Sequence, residues 1–438
     1  MVLLKHINLF FSTLQFRLIR EGFWIIFGQI NTVLSSFVLI RILTDYLSPA
    51  DYGYLALGLT FVSLVNQVVM AGISQGFARF FLIAKNEGYS QNFILASLKI
   101  LFKASLLIII FGVLVALIFY IFKFSYWLKF ILAITIYSTL SGWIQAINSV
   151  QNSARQRSLV AFHTGLESWL KTGLIFLFFT FQVNSDLVLV VSLYSLSLLI
   201  VFISQAYHFK KVVYTNNSIN NIKTVDVLVN EIWLFSKPFS LWGGFTWLQL
   251  VSDRWALQKF ATSEEVGMYA VLYQMGYAPV AMITGFVVTL ILPMLYERAG
   301  NGSNKVGLDS AYIFNKKLTM ASLCITLIGF IVLLFFHKNF LSFFVSNEYL
   351  VVSYLLPWIF LAGGIFSTAQ IISLNQMVGL KTENLLRVKI ATALIGILFS
   401  IIGASILGLE GVVVSLNLFS IFYLLWLVKV SNNSQKLE

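Results

Sequence analysis

Residues 46–56, YLSPADYGYLA, and residues 260–270, FATSEEVGMYA, are two copies of one motif, 214 positions apart. The aligned positions that are identical or chemically alike are Tyr46 with Phe260, Ser48 with Thr262, Asp51 with Glu265, Gly53 with Gly267, and Ala56 with Ala270. Each copy follows an apolar segment of helix length and introduces another. The equal placement of the motif within two sets of apolar segments predicts a chain built from two related halves.

The composition predicts that both halves lie in a membrane. The 438 residues are 59% hydrophobic and 11% charged, whereas soluble domains carry about 25% charged residues. This length accommodates about a dozen helices of roughly 20 residues and leaves no polar region for a soluble catalytic domain. A single cysteine, Cys324, four scattered histidines and the lack of a Gly-rich Lys-Ser/Thr loop disfavour disulfides, metal clusters and direct use of ATP. We therefore expect no cofactor and no enzymatic activity.

Twelve apolar segments are predicted to cross the membrane. They are residues 22–43, 53–78, 104–122, 127–150, 159–182 and 186–207 in the first half, and 232–253, 267–295, 312–336, 351–376, 385–407 and 411–428 in the second. The predicted domains are an N-terminal lobe at 1–207, a polar linker at 208–231 and a C-terminal lobe at 232–438. Because six is an even number, both halves enter the membrane in the same direction. The fold class is thus predicted to be an all-α membrane protein of two six-helix lobes, related by a pseudo-twofold axis along the membrane normal.

Lysine and arginine are distributed unevenly between the predicted loops. With the N-terminus in the cytoplasm, 21 of the 29 basic residues fall on the cytoplasmic side, six on the opposite side and two inside spans. Positive residues accumulate on cytoplasmic loops, so this distribution predicts that both termini are cytoplasmic. It also explains the net charge of +12 without a nucleic-acid partner.

Ionisable residues inside the spans are candidates for function, because each costs roughly 2.5–3.5 kcal/mol at the bilayer centre. His163, Glu167 and Lys171 follow one another at intervals of four in the fifth span and share one helix face. Two interpretations stay open. Glu167 and Lys171 form a pair that neutralises the helix for insertion, or the three residues form a titratable stripe where a proton or a sodium ion couples to movement.

Basic residues near the ends of the first and seventh spans are candidates for binding an anion. Lys237 lies near the cytoplasmic end of the seventh span, Asp253 and Arg254 lie near its far end, and Arg41 occupies the comparable end of the first span. Together with Lys171, the basic side chains have the charge and the N–H donors that hold phosphate. Asp253 is then a candidate for ion coupling. In the alternative interpretation, Arg41 and Arg254 simply extend to the outer membrane surface.

Two amide side chains, Gln145 and Asn148, follow one face of the fourth span. Amides that face lipid would be left unpaired, so both are expected to contact protein or water. They are candidates for hydrogen bonds to sugar hydroxyls or, in the alternative interpretation, to neighbouring helices.

The residues that follow the first and seventh helices carry a family resemblance. Residues 41–54, RILTDYLSPADYGY, resemble the segment after the first helix of bacterial polysaccharide-export flippases of the Wzx type. Residues 252–257, SDRWAL, with residues 266–269, VGMY, are similar to the Asp-Arg-x-x-Leu and x-Gly-x-Tyr pattern that follows helix seven in that family. The resemblance covers essentially the whole chain in length and number of spans. By motif, it carries a functional role only to Arg41, Asp253 and Arg254.

The resemblance implies a MATE-like fold of the MOP superfamily, with two six-helix lobes around a cavity that opens alternately to the cytoplasm and the periplasm. It implies transport of a polyprenyl-pyrophosphate-linked oligosaccharide, such as an O-antigen unit of lipopolysaccharide, across the bacterial inner membrane. Ion antiport occurs in some family members. The expected partners are this lipid-linked oligosaccharide, membrane lipids, a proton or a sodium ion, and other polysaccharide-assembly proteins.

Three other functions compete with this interpretation. A flippase for a lipid-linked peptidoglycan precursor usually has additional C-terminal spans, and the sequence predicts none after the twelfth, which counts against it. A cation-coupled multidrug antiporter of the same fold favours acidic residues in its cavity, and the basic candidates here count against it. A membrane-embedded polysaccharide polymerase or glycosyltransferase needs carboxylates and sizeable loops at the outer face, and the sequence predicts neither.

Overall fold

The computed structural model describes residues 2–123, 125–181, 186–213, 223–299, 305–378 and 382–436, and every regular element in them is helical. The α-helices are α1 (Val2–Tyr46), α2 (Pro49–Leu64), α3 (Ala71–Glu87), α4 (Ser90–Ile121), α5 (Ser125–Ser153), α6 (Arg157–Phe181), α7 (Leu187–Val213), α8 (Val225–Phe260), α9 (Ser263–Leu272), α10 (Ala278–Ala299), α11 (Lys305–Phe344), α12 (Leu356–Val378) and α13 (Thr382–Lys436). π-helical turns join α2 to α3 at Val65–Met70 and α9 to α10 at Tyr273–Tyr277, and a 3-10 helix at Asn347–Leu355 precedes α12. The all-helical prediction is confirmed.

The twelve predicted spans correspond to these helices. The π turns make α2–α3 and α9–α10 continuous, and α13 supplies two spans because its backbone leaves helical geometry at Leu407 and Gly408. In the described part of the chain, nine helices are long and apolar enough to cross a membrane, and the last of these holds the final two spans. α6 and α8, the helices that carry most of the charged candidates, are not among these nine. With 25 and 36 residues, both are long enough to span a bilayer core of about 30 Å.

Backbone contacts divide the chain into two compact units. The first unit is Met1–Leu39 with Gly58–Trp247, and the second is Ile40–Leu57 with Leu248–Glu438. The first copy of the repeated motif therefore belongs to the same unit as the second copy. The predicted lobe boundaries at 207 and 232 stay a prediction, and residues 214–222 of the predicted linker lie outside the described residues.

The core of the first unit forms where α3, α4, α5 and the beginning of α8 meet. Phe77 and Phe93 pack edge to face at 6.1 Å, and Ile232 of α8 is fully buried in the same cluster. Gly72 of α3 faces α8 so closely that a Cβ there would lie 2.7 Å from the carbonyl oxygen of Ser236. Small residues allow such a close backbone approach between membrane helices.

Ion pairs hold the beginning of α8 in place within the first unit. Lys223 Nζ lies 2.8 Å from a carboxylate oxygen of Glu231, and this hydrogen bond raises the pKa of Lys223. Lys99 Nζ lies 2.6 Å from Asp226 Oδ1, and this contact lowers the pKa of Asp226. Both shifts favour the charged forms of Lys223 and Asp226 at neutral pH. The Lys99–Asp226 pair is largely exposed, so we assign it a positioning role rather than a large stabilising one.

Both copies of the repeated motif begin a helix with the same side-chain cap. The backbone N–H of Asp51 donates to Ser48 Oγ at 3.1 Å, and that of Glu265 donates to Thr262 Oγ at 3.2 Å. A hydroxyl cap followed three residues later by an acidic residue is a typical helix start. The likeness of these pairs between the two copies therefore reflects a shared local structure.

The two glycines of the motif bring these helix starts into direct backbone contact within the second unit. A Cβ on Gly53 would collide with the carbonyl oxygen of Ser263, and a Cβ on Gly267 would collide with that of Pro49. Both glycines and both carbonyls are separated by the motif offset of 214 residues. The contact is therefore reciprocal, and the motif is a packing site where its own two copies meet.

Glu265 of the second copy also stabilises the break in α13. Its Oε2 accepts a hydrogen bond from the backbone N–H of Leu409 at 2.7 Å, directly after Gly408, whose φ is +56°. The carboxylate thus satisfies an N–H at the beginning of a new helical arm, where no intrahelical acceptor exists.

We expect Glu265→Ala to lower the free energy of unfolding by about 1–2 kcal/mol, because it removes the acceptor for Leu409 N–H and an acidic residue from the first turn of α9. Glu264→Ala is the matched control, since it removes the neighbouring, exposed carboxylate, and we expect a smaller change. Melting temperatures in detergent measure both effects. Equal melting temperatures for the two variants would contradict a stabilising role for the Leu409 contact.

Candidate substrate and ion site

A buried carboxylate and a guanidinium follow one another near the end of α8. Asp253 is only 6% exposed, and its two oxygens accept hydrogen bonds from the Tyr269 hydroxyl and from the backbone N–H of Arg254. No ion pair of the described residues joins Asp253 to the Arg254 side chain. The carboxylate therefore accepts its hydrogen bonds from neutral donors, and the Arg254 side chain lies beyond ion-pair distance of it.

Arg254 contacts an aromatic ring rather than a carboxylate. Its guanidinium carbon lies 5.3 Å from the centroid of the Tyr273 ring, and its Nε is buried without a hydrogen-bond partner. A buried N–H of a charged group without a partner is costly, on the order of 1–3 kcal/mol or more. Arg254 thus has a donor without a partner in this conformation, and it stays a candidate for binding an anion.

A row of tyrosines continues from Arg254 along α9 and the π turn. Tyr269 and Tyr273 lie 5.9 Å apart between ring centroids, and Tyr273 stacks on Tyr277 at 4.6 Å. π-helical turns are frequent at functional sites because they reposition side chains relative to the rest of the helix. Our sequence analysis missed this row, although the spacing of four residues between successive tyrosines signals a shared helix face.

A small cavity lies beside Asp253 and this row of tyrosines. Its volume of about 40 Å³ is enough for about three waters, or for an ion with water. The residues that line it are Gln249, Leu250, Asp253, Tyr273, Tyr277, Phe366, Gly396, Ser400, Ser415, Leu416 and Phe419. Its only carboxylate is that of Asp253, and its other polar groups are neutral oxygen and nitrogen atoms.

A second, larger pocket lies between α10 and α12, and we call it the α10–α12 pocket. Its volume is about 260 Å³, and its lining residues are Ala281, Thr284, Gly285, Val288, Phe366, Ser367 and Gln370. The hydroxyl of Ser367 is buried without a hydrogen-bond partner. Because Phe366 lines both this pocket and the cavity at Asp253, the two are neighbours. The α10–α12 pocket was not predicted from the sequence.

Arg41, one of the predicted phosphate-binding residues, is engaged in helix contacts. Its Nε pairs with Asp45 at 3.0 Å, and one terminal nitrogen donates to the carbonyl oxygens of Val345 and Ser342 at the end of α11. Basic side chains commonly satisfy the last carbonyls of a helix. These contacts give Arg41 a structural function within the second unit.

Lys237 and Lys171, the other predicted basic residues, belong to the first unit. Lys237 is exposed on α8 beside Pro238 and makes no ion pair with the described residues. Lys171 of α6 is half-buried, with its Nζ 5.3 Å from the centroid of the Tyr194 ring. Its Nζ lies beyond ion-pair distance of Glu167, one helical turn away, and both interpretations of the stripe stay predictions.

His163, the third member of the predicted stripe on α6, has partners of its own. It is 1% exposed, with Nδ1 at 2.8 Å from the carbonyl oxygen of Leu159 and Nε2 at 3.2 Å from Ser204 Oγ. The first contact requires the proton on Nδ1, so the neutral ring accepts a hydrogen bond from Ser204. Glu167, by contrast, is half-buried and makes no ion pair with the described residues, so it stays the candidate of this stripe for binding an ion.

The predicted amides of α5 have different surroundings. Asn148 Oδ1 accepts a hydrogen bond at 2.6 Å from Gln205 of α7, which also donates to Gln151 at 2.8 Å. This network joins α5 to α7 and supports the interhelical interpretation for Asn148. Gln145 differs, because its Oε1 is buried without a partner. It therefore stays a candidate for binding a ligand.

Among the described residues, no group of three or more His, Cys, Asp and Glu side chains is placed to hold a metal ion. The site consists instead of one carboxylate, one guanidinium, tyrosines, and hydroxyl and amide groups. The guanidinium in this set is a group that binds phosphate or carboxylate, and the hydroxyl and amide groups are able to hydrogen-bond a polar ligand.

Comparison with known protein families gives one match. Residues 18–298, which are more than half of the chain, match the family model described as "Polysaccharide biosynthesis protein". A sequence search of curated proteins found no match.

Comparison with solved structures identifies the fold. A multidrug resistance MATE family transporter of the MOP superfamily, in its inward-facing conformation, matches with a TM-score of 0.72 and 15% identity over 92% of this chain and 96% of that one. The lipid II flippase MurJ, in an inward closed conformation, matches with a TM-score of 0.70 and 15% identity over 95% of this chain and 90% of that one. A MOP superfamily transporter from Pyrococcus furiosus matches with a TM-score of 0.60 and 14% identity over 95% of this chain and 96% of that one. A reversed polarity of the binding pocket is described for that transporter. The predicted MATE-like fold is confirmed.

Proposed function

The chain belongs to the polysaccharide biosynthesis protein family of MOP-type flippases, and we propose that it moves a polyprenyl-pyrophosphate-linked oligosaccharide across the membrane. The oligosaccharide is the repeating unit of an O-antigen or of another surface polysaccharide. Transport runs from the cytoplasmic to the periplasmic leaflet of a bacterial inner membrane, with both termini in the cytoplasm. The positive charges on the predicted inner loops support this orientation.

The observation that supports this proposal best is the incomplete hydrogen bonding of the Arg254 guanidinium. Its guanidinium is fixed over Tyr273, its Nε has no partner, and its neighbouring carboxylate is bound by Tyr269. An arginine with an unsatisfied donor in a membrane-spanning helix is expensive unless a ligand or water completes it. A pyrophosphate has several acceptor oxygens for a guanidinium, which binds such groups in a bidentate manner.

The α10–α12 pocket is where we place the sugars nearest to the pyrophosphate. Thr284, Ser367 and Gln370 offer hydroxyl and amide groups, and the Ser367 hydroxyl has no partner of its own. Phe366, between this pocket and the cavity at Asp253, presents an apolar surface to a sugar ring. Apolar and aromatic walls with a few placed polar groups are typical of ligand pockets, and the neutral polar groups here are able to hydrogen-bond sugar hydroxyls.

Asp253 and Glu167 are the groups where we place ion coupling. Asp253 borders a cavity with room for an ion and water, and the Tyr269 hydroxyl is fixed at its carboxylate. Binding of a proton or a sodium ion to Asp253 alters the net charge beside Arg254, and thus the affinity of Arg254 for an anion. Ion binding and substrate binding are linked reciprocally in such an arrangement.

Reconstitution of the full chain into proteoliposomes tests the proposal. The vesicles contain a polyprenyl-pyrophosphate oligosaccharide with a fluorescent sugar, and a membrane-impermeant reductant destroys the dye in the outer leaflet. Vesicles without protein lose about half of the signal, because only that leaflet is accessible. We expect vesicles with protein to lose the remaining signal over time, and to do so faster under an imposed proton or sodium gradient.

The same vesicles test the main alternative. A cationic dye inside them reports multidrug antiport, and we expect the protein not to export it. Dye export without movement of the labelled oligosaccharide would contradict the proposed substrate and favour the antiporter. A polyprenyl monophosphate with the same sugar measures the contribution of the second phosphate, and we expect slower movement of this lipid.

A further inference from the structure

A third pocket, which has two basic residues in its lining, lies at the junction of α10 and α11, apart from the site at Arg254. Its volume is about 420 Å³, and it shares no lining residue with the cavity at Asp253 or with the α10–α12 pocket. The residues that line it are Arg298, Val306, Asp309, Ser310, Ile313, Phe314 and Lys317. The distribution of positive charge predicts that this end of both helices is cytoplasmic.

The pocket is formed by close contact between the last turn of α10 and the first turns of α11. A Cβ on Gly307 would lie 2.8 Å from the carbonyl oxygen of Arg298, so a glycine is needed at this approach. Ser310, Phe314 and Lys317 follow at intervals of four and three residues and therefore share one face of α11. Arg298 and Lys317 are thereby brought to one pocket from two helices.

Arg298 is held by stacking rather than by an ion pair. Its guanidinium carbon lies 4.0 Å from the centroid of the Phe314 ring. Stacking on an aromatic face fixes the plane of a guanidinium and leaves the N–H groups at its edge for hydrogen bonds to phosphate. Within the described residues, neither Arg298 nor Lys317 forms an ion pair.

The charge of the pocket favours an anion that also has hydrogen-bond donors. Two positive groups, Arg298 and Lys317, face one carboxylate, Asp309, so the pocket has a net charge of about +1. Ser310 adds a neutral hydroxyl. A phosphate diester satisfies the two cations, while a hydroxyl on its head group has Asp309 as an acceptor.

The rim of the pocket is apolar, which indicates a lipid rather than a soluble anion. Val306 and Ile313 line the pocket and are 77% and 59% exposed, and Met320, further along α11, is 60% exposed. α11 is one of the helices long and apolar enough to cross a membrane. Apolar side chains beside a phosphate-binding pocket at the end of such a helix are placed to contact an acyl chain.

We propose that the pocket binds an anionic phospholipid with a hydroxylated head group, of the phosphatidylglycerol type. Arg298 and Lys317 bind its phosphate, Ser310 donates a hydrogen bond to it, and Asp309 accepts one from the head group. The acyl chain lies along Val306 and Ile313. This lipid stays bound in the pocket during transport and stabilises the junction of α10 and α11. The site is therefore independent of the transported substrate.

Native mass spectrometry of the full-length protein tests this site. The protein is delipidated and titrated with phosphatidylglycerol or phosphatidylcholine, and the number of retained lipids is counted. We expect one tightly retained phosphatidylglycerol that Arg298→Gln/Lys317→Gln loses, with affinity at least about tenfold lower because two charge-assisted contacts are removed. Arg298→Lys keeps the charge but not the stacked geometry, and we expect an intermediate loss.

The control removes the same charge elsewhere. Lys85→Gln/Lys103→Gln changes two exposed lysines of the first unit, and we expect this variant to retain the lipid. Equal loss in both double variants, or full retention in Arg298→Gln/Lys317→Gln, would overturn the proposal. Full displacement of the lipid by inorganic phosphate would instead identify a site for a free anion. If the double variant does not fold, Lys317→Gln alone, at an exposed position, provides the same comparison.

Discussion

Substitution of Gly267 by valine is expected to leave little folded protein in the membrane. A Cβ at this position collides with the carbonyl oxygen of Pro49 and lies 2.9 Å from the amide nitrogen of Gly53. Both atoms belong to rigid helix backbone, so the two helix starts have to separate. Overpacking of a core costs about 1–3 kcal/mol even where side chains are able to move aside, and we expect at least the upper end of that range here. Yield and melting temperature after size-exclusion chromatography measure the effect.

Two glycines in open surroundings provide the control. A Cβ on Gly173 of α6 or Gly244 of α8 has no neighbour within 4 Å. Alanine at either position is expected to keep or slightly raise the melting temperature, because alanine favours helices over glycine by about 1 kcal/mol. A Gly267→Val variant with the same melting temperature as Gly244→Ala would contradict the close contact.

The reciprocal geometry adds a sharper expectation. Gly53 and Gly267 lie in the same contact between two helices. If the first substitution separates these helices, the space it creates also relieves the steric clash of the second substitution. The combined variant is therefore expected to lose less stability than the sum of Gly53→Ala and Gly267→Ala, by about 0.5–3 kcal/mol. Alanine is used here because the single variants must remain measurable. Additive losses would show that the two positions are independent.

The repeated motif also shows why the fold was predictable from the sequence. Long apolar segments predict membrane helices, because lipid satisfies no backbone hydrogen bond and allows few alternatives. Ser48 and Thr262 mark helix starts through contacts three residues away, which is a local effect. The break at Gly408 was predicted as a boundary between two spans, although its stabilisation by Glu265 was not.

The partners of the candidate residues were less predictable, because they lie far away in the chain. Periodicity indicates that His163, Glu167 and Lys171 share a face, but it does not indicate that Lys171 lies over the ring of Tyr194. In the same way, no local pattern indicates that the Arg41 side chain donates a hydrogen bond to the carbonyl oxygen of Val345, which is far away in the chain. The arrangement of neighbouring helices determines these contacts, and no local pattern encodes it.

The tyrosines at the candidate site have a different explanation. Tyrosine is abundant at membrane surfaces, so its presence in a span carries little functional signal. The spacing of Tyr269, Tyr273 and Tyr277 is regular, but its meaning depends on Asp253 and Arg254 from another helix. Only the assembled pair of helices reveals that Tyr269 donates to Asp253 and that Tyr273 lies against Arg254.

Replacement of Arg254 is therefore expected to have a large effect on transport. Arg254→Ala removes the guanidinium that we propose binds the pyrophosphate, and loss of a buried charge-assisted contact costs on the order of 1.5–3 kcal/mol. We expect transport of the labelled oligosaccharide in proteoliposomes to fall at least tenfold, since 1.4 kcal/mol corresponds to about a factor of ten. Arg254→Lys keeps the charge without the planar, bidentate donors, so we expect it to retain part of the activity.

Two matched variants separate binding from folding at this site. Lys259→Ala removes an exposed positive charge from the same helix, α8, and is expected to transport normally. Tyr269→Phe removes the donor to Asp253, which leaves a buried carboxylate oxygen without its partner, and is expected to lower stability as well as transport. Arg254→Ala keeps both hydrogen bonds to Asp253 but removes the positive charge beside it, so we expect a smaller loss of melting temperature than in Tyr269→Phe, together with a large loss of transport. Normal transport by Arg254→Ala would exclude Arg254 from substrate binding, whereas equal losses in Arg254→Ala and Lys259→Ala would point to general electrostatics rather than to a site.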